Sequence, residues 1–399
     1  MASLKRLNEI NIYESLAING GKPVSSHQIT KPVPIGKEEI AAGLRVLKSG
    51  ILSRAGRGKE VLQFETDFAS YCNAKYAVTT SSGTTALHTA LEALGIGSGD
   101  EVIVPALTFV SSASIILQQG AIPVFADIDS NTFCIDSHDF EKKITSKTKA
   151  VIVVHLYGNP ANMQDIIRVA KKHKIAVVED CAQAHGAIYK QKKVGTLGDI
   201  GCFSFYQTKN MTCGEGGMII MNNVKLYKAC KSIVDHGLVD GYLQGYDYDR
   251  LGYNYHMTEL QAAIGQAQLK KLDQFNSQRQ YNATLYKEML VDTPLQFQED
   301  TAFGSNVFYS LTALLPEKYI SKRDWFLKAV RAENVEVNNI YPNALHKTEL
   351  FRKYNDSALP VAESVTARLF NFYTNPGISK QYIQLTVKAV KKVLNKALD

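Results

Sequence analysis

The chain has 399 residues, 45% hydrophobic and 21% charged, with a formal net charge of +7, a composition that excludes fibrous and disordered classes and allows about two to three folding units. The charge is spread out, with only short basic runs such as 190–193 and 391–392, so no nucleic-acid-binding tract is expected. Six cysteines without a CxxC pair or zinc-like histidine spacing read as reduced thiols of a cytoplasmic protein. The opening Met-Ala-Ser-Leu-Lys-Arg lacks an apolar signal core, and no run approaches the roughly twenty apolar residues of a membrane span.

In chain order, residues 1–35, with Gly20-Gly21, Pro23, Pro32 and Pro34, read as an extended arm ahead of a helix near 36–49. From about Tyr76 to Met221, short apolar runs alternate with helix-period segments. They predict strands at 76–80, 101–104, 122–126, 150–154, 176–179, 202–205 and 218–221, with helices at 85–94 and 163–173 among them. Runs apolar on both faces, such as Val151-Ile152-Val153-Val154, predict a mostly parallel sheet covered by helices, in which ligands bind beyond the carboxyl ends of strands. A long helix from Met257 to about Leu272 leads to a part of different texture, with helices at 322–333 and 383–398 around a few strands. The expected organisation is an arm (1–35), a large α/β domain (36–272) and a smaller C-terminal α+β domain (273–399).

The chemistry falls on the strand ends. Lys209 stands between an apolar strand and the glycine-rich turn Gly214-Glu215-Gly216-Gly217. An apolar setting penalises an ammonium, so Lys209 is the candidate Schiff-base nucleophile, and pyridoxal phosphate (PLP) its natural carbonyl partner. The run from Ile175 ends in Glu179 and Asp180, which period-two alternation sends to opposite faces. Asp180 is assigned to the pyridine nitrogen of the cofactor, where a carboxylate keeps the ring protonated. Gln183 follows in the same turn and can reach the ring's phenolic oxygen. Ser81 to Thr85 lead from a strand into a helix, so Gly83, Thr84 and Thr85 offer amides and hydroxyls to a phosphate at a helix N-terminus; Ser204 is a further hydroxyl, and Phe109 an aromatic face for the ring.

Other motifs carry less. Gly95 to Gly99 precedes its strand and reads as a turn, and Gly56 to Glu60 lacks the hydroxyl residue of a P-loop. Nine histidines show no HExxH spacing, and Asp127-Ile128-Asp129 reads as a strand cap, so no metal is expected.

Together, Ser81-Ser-Gly-Thr-Thr-Ala86, Pro105-Ala-Leu-Thr-Phe109, Glu179-Asp-Cys-Ala-Gln-Ala-His-Gly186, Phe203-Ser-Phe205, Lys209-Asn210, Gly214-Glu-Gly-Gly217 and Gly252-Tyr-Asn-Tyr-His-Met-Thr-Glu259 resemble the DegT/StrS family of sugar aminotransferases, in family order over nearly the whole chain. The resemblance implies a fold-type-I PLP enzyme and a homodimer with shared active sites. It assigns the Schiff base to Lys209, the pyridinium contact to Asp180, the phenolic-oxygen contact to Gln183, the phosphate to Gly83, Thr84 and Ser204, and ring stacking to Phe109. Asn254 falls on a phosphate contact made to the neighbouring subunit.

Because the lysine is present where dehydratases of the family have histidine, transamination is the expected reaction, from glutamate or glutamine to a keto sugar. His256, Tyr341 and Arg57 are the candidate substrate contacts. Nucleotide-sugar members often carry Arg and His where this chain has His256 and Ile340, and the run Leu16 to Val24 is similar to cyclitol aminotransferases. A nucleotide-linked sugar is the first expectation, an inosose-type cyclitol the second. A sugar dehydratase and a PLP-binding regulator are the alternatives from other classes.

Overall fold

The computed structural model describes residues 15–26, 34–53, 58–239, 247–354 and 357–397. Its large sheet contains β1 (Tyr76–Thr80), β2 (Glu101–Pro105), β3 (Ile122–Ala126), β4 (Thr148–Val154) and β5 (Ala176–Asp180). A hairpin of β6 (Ile188–Tyr189) and β7 (Lys192–Lys193) lies outside that sheet, which β8 (Ile200–Ser204) and β9 (Gly217–Met221) complete. The strand order is β1-β9-β8-β5-β4-β2-β3, and only β9 runs against its neighbours. Each of the seven expected strands is present, with ends moved by at most two residues. The expected mostly parallel architecture is the one observed.

Helices α1 (Lys37–Ser49), α2 (Glu60–Cys72), α3 (Gly83–Ala93), α4 (Ser111–Gln118), α5 (Ser137–Lys142), α6 (Met163–His173) and α7 (Val224–Val234) precede the last part of the chain. Under the Lys209 segment, α2 brings Phe68 to 4.9 Å from Phe203 and 5.5 Å from Phe205, ring to ring. These three rings are fully buried, and each contributes about 2 kcal/mol by leaving water, so the strand that delivers Lys209 has a stiff base.

The expected single helix at 257–272 is two helices, α8 (Glu259–Leu269) and α9 (Leu272–Met289). Lys271, between them, lies at φ −106° and ψ −4°, away from ideal helix dihedrals, and its ammonium pairs with the buried Glu39 of α1. Beyond α9 come β10 (Gln296–Phe297), β11 (Gly304–Ser305), α10 (Arg323–Ala332), β12 (Leu311–Leu314), α11 (Pro360–Arg368), β13 (Leu369–Phe372) and α12 (Lys380–Ala397), with β10, β12 and β13 forming a small antiparallel sheet.

The α8–α9 junction falls at residues 270–271. A second apolar core gathers Tyr286, Phe326, Phe370 and Val390, and it recruits Leu16 from the arm. Buried Glu333 holds the arm there, accepting from the amides of Ala17 at 3.0 Å and Val24 at 2.9 Å while pairing with Lys392 at 2.9 Å. Asp127, expected as a strand cap, instead accepts from the amides of Val361 and Ala362 and so caps α11. Among the described residues no helix is long and apolar enough to cross a membrane.

Candidate active site

At the carboxyl end of β1 the chain turns through Ser81 and Ser82 into α3. Ser82 caps that helix: its hydroxyl accepts from the Thr85 amide at 3.1 Å, and the Thr85 hydroxyl accepts from the Ser82 amide at 3.0 Å. The cap leaves the amides of Gly83 and Thr84 without partners among the described residues, at the positive end of the helix dipole. Side chains are excluded at this corner. A Cβ on Gly83 would lie 2.6 Å from the Ser204 Cβ, and one on Gly217 would lie 2.3 Å from the Ser82 carbonyl oxygen.

This corner is one wall of a cleft of about 370 Å³ whose lining includes Gly83, Thr84, Phe109, Asp180, Gln183, Ser204, Lys209, Glu215, Tyr309 and Tyr341. Eight residues named from the sequence therefore meet in one place. Asp180, buried at the end of β5, accepts from the Ser112 hydroxyl at 2.8 Å and from the Ala182 amide at 3.0 Å. Ser112 is itself 2.9 Å from the Thr108 hydroxyl, so α4 and the turn that leads into it aim the carboxylate. Phe109 is 55% exposed at the cleft wall, an uncommon state for a large ring and the expected one for a ring that a planar ligand covers.

Lys209 differs from its expected setting. The chain leaves the sheet at Phe205, residues Tyr206 to Thr208 are exposed, and Lys209 is half-buried at the cleft instead of enclosed in apolar surroundings. Its ammonium lies 5.1 Å from the Tyr309 ring centre and has no ion-pair partner among the described residues. The Tyr309 hydroxyl is 2.9 Å from that of Thr208. Next to this segment His185 packs against Phe203 and Phe205; burial first, and the Lys209 charge second, push its pKa down to about 3, so this imidazole stays neutral.

Gln183 accepts from the Tyr157 amide at 2.8 Å and donates to the Tyr341 hydroxyl at 2.5 Å. Tyr341, expected as a substrate contact, is buried, and burial raises its phenol well above the ordinary value. It is a wall of the cleft that orients Gln183. Asn254 and His256 do not line the cleft: Asn254 is exposed on a segment paired with Asp235, and His256 lies 3.1 Å from the Asp235 carboxylate. Arg57, with Arg54, lies outside the described residues.

Sequence reading missed Ser112, Thr108, Thr208 and Tyr309. The hydroxyl pair Ser111-Ser112, two residues past Phe109, was a usable signal for the support of Asp180; nothing local marks Tyr309, which reaches the cleft from a segment a hundred residues beyond Lys209.

These residues fit PLP. Two unpartnered amides and a hydroxyl suit its phosphate, a carboxylate its ring nitrogen, an uncovered phenyl its face, and an unpaired amine its aldehyde.

Residues 34–391 match the model of the DegT/DnrJ/EryC1/StrS aminotransferase family. GDP-perosamine synthase of Vibrio cholerae is 35% identical, with 86% of this chain and 92% of that protein covered. UDP-N-acetyl-3-dehydro-alpha-D-glucosamine 3-aminotransferase of Acidithiobacillus ferrooxidans is 37% identical over 90% of this chain and 95% of its own. The solved PLP form of Spr1654 from Streptococcus pneumoniae superposes with a TM-score of 0.88 at 25% identity, covering 94% of this chain and all of its own.

Proposed function

The chain belongs to the DegT/DnrJ/EryC1/StrS aminotransferase family, and from that premise we propose that it moves an amino group from glutamate or glutamine to a nucleotide-linked keto sugar, using PLP held in the described cleft. The observation that carries this reading is the meeting of Lys209, Asp180, Phe109 and the open end of α3 around one cavity.

When bound, PLP supplies an electron sink for the carbon that bears the nitrogen. The protein's part is placement and proton movement. The Gly83 and Thr84 amides and the Ser204 hydroxyl bind the phosphate and fix the ring's position. Phe109 covers one face. The Asp180 carboxylate, held by Ser112 and the Ala182 amide, would keep a proton on the ring nitrogen, and Gln183, held by the Tyr157 amide and the Tyr341 hydroxyl, would border the phenolic oxygen. Lys209 Nζ takes the proton from the donor's α-carbon and returns it on the far side of the nitrogen. A half-buried amine without an ion-pair partner is free to swing between those two atoms.

The relatives whose names carry GDP- and UDP-sugars support a nucleotide-linked acceptor. Ile340, an apolar wall of the cleft, favours the second reading, an uncharged inosose-type cyclitol. The deciding experiment supplies glutamate or glutamine with either a nucleotide-linked keto-hexose or scyllo-inosose, and identifies the product by mass spectrometry. Amination of the nucleotide sugar is expected, and amination of the inosose alone would overturn the first reading. Release of a dehydrated sugar with no new nitrogen would reject transamination.

We also propose a cytoplasmic homodimer with shared sites. Helix α1 exposes Ile40, Leu44 and Leu47 at helical spacing on one face, a stripe that a second copy can cover, and the exposure of Asn254 supports a contact made to a neighbour. Mixing Lys209→Ala and Asn254→Ala chains should then restore activity to about a quarter of the sites, because half the dimers are mixed and one of their two sites is intact. No recovery after verified subunit exchange would show that Asn254 does not serve a neighbouring site.

A further inference from the structure

We infer that Asp235, His236 and His256 form a binding site for a divalent transition-metal ion of the zinc class, outside the cofactor cleft of their own chain. Helix α7 ends at Val234 and the chain then pairs antiparallel with the segment around Asn254, with Asp235 opposite Asn254. His256 stands two residues beyond that pairing and so returns beside Asp235. Consecutive side chains on extended backbone diverge, but His236 takes the left-handed conformation at φ +57°, which turns its ring toward its neighbours. One donor atom from each of the three residues lies within 4.8 Å of the others. His256 Nε2 and Asp235 Oδ1 are 3.1 Å apart.

Two imidazoles and a carboxylate are a donor set suited to zinc with one coordination position left open. Bonds of about 2.0–2.2 Å in a tetrahedron place donors about 3.3 Å from one another. The Asp235–His256 pair is already near that separation, and His236 is exposed and free to close the remainder. Asp235 Oδ1 is shielded from solvent yet makes no well-aligned hydrogen bond, even to the nearby His256, so it keeps lone pairs for an ion.

A second trio, His155, Glu179 and Cys181, is as compact but has no donor to spare. His155 Nδ1 accepts from the Ala161 amide and its Nε2 donates to Glu179, which also accepts from three backbone amides. Burial raises the Cys181 thiol well above its ordinary pKa, so it does not supply a thiolate.

The test is calorimetric titration of zinc chloride into chelator-treated, tag-free, cofactor-loaded protein, beside His236→Asn and His256→Gln. Asparagine tolerates the left-handed backbone that alanine would strain, so the first variant removes a ligand without disturbing the turn; circular dichroism confirms that both are folded. The expected result is saturable uptake of one zinc per chain, weakened at least about tenfold in both variants, in line with the cost of disturbing a metal's ligand sphere. No saturable uptake by the unaltered protein, or affinity unchanged in either variant, would overturn the assignment and leave Asp235 and His256 as an ion pair alone.

Discussion

Replacing Lys209 with alanine is expected to stop multiple turnover, with a rate loss of about a hundred- to ten-thousandfold or more, while leaving the fold and its melting temperature nearly unchanged. The separation of these effects follows from the geometry. The Lys209 ammonium has no ion pair among the described residues and meets only the Tyr309 ring, at 5.1 Å, and the side chain is half-buried; truncations of that kind usually shift stability by about 0.5 kcal/mol or less. No other described residue lining the cleft offers a primary amine. The measurement is steady-state turnover with an amino donor and a keto sugar, beside thermal unfolding and visible absorbance after addition of PLP. The variant should fold, lose the protein-linked visible band and fail to cycle. A Lys209→Ala protein that cycles at the original rate removes the central assignment, whatever its spectrum.

The parts legible in the sequence were those in which local pattern and tertiary placement agree. Strands such as Val151 to Val154 are apolar on both faces because both faces are covered, and the small residues from Ser81 to Thr85 announce a helix N-terminus that does stand beside Ser204. Alternation along β5 correctly separated Glu179 from Asp180. What pattern could not supply were contacts between distant segments. Lys271, at the α8–α9 break, pairs with Glu39 on α1; the use of Asp127 depends on α11, more than two hundred residues away; and the ring beside Lys209 comes from Tyr309, a hundred residues further along the chain. Tyr341 lines the cleft, but its burial against Gln183 and Tyr157 comes from packing on the core of the large sheet and not from its neighbours in the chain.

Glu179 and Asp180 provide the sharpest contrast, because adjacent acids on opposite faces of one strand should fail in opposite ways. Asp180 accepts from one hydroxyl and one amide. Asparagine keeps an acceptor for Ala182, and Ser112 can reorient toward the new amide group, so Asp180→Asn should cost about 1 kcal/mol of stability. It cannot hold the cofactor's ring-nitrogen proton with a negative charge, and turnover should fall by about a hundred- to a thousandfold. Glu179 is fully buried, accepting from the amides of Gly195 at 2.7 Å, Leu197 at 2.8 Å and Gly198 at 2.6 Å, and from His155 Nε2 at 3.0 Å. His155 has no freedom to adjust, since its Nδ1 accepts from the Ala161 amide. Every partner of Glu179 is therefore a donor, and the amide nitrogen of Glu179→Gln must face one of them. Loss of a charged acceptor with four bonds, plus a buried donor without a partner, should cost about 3 kcal/mol or more, while the rate per folded molecule stays within a few-fold. Denaturant unfolding and kcat of the soluble fraction, measured on both variants, separate the two cases. An Asp180→Asn protein with undiminished turnover, beside a stable but inactive Glu179→Gln, would move the ring-nitrogen role from one face of the strand to the other.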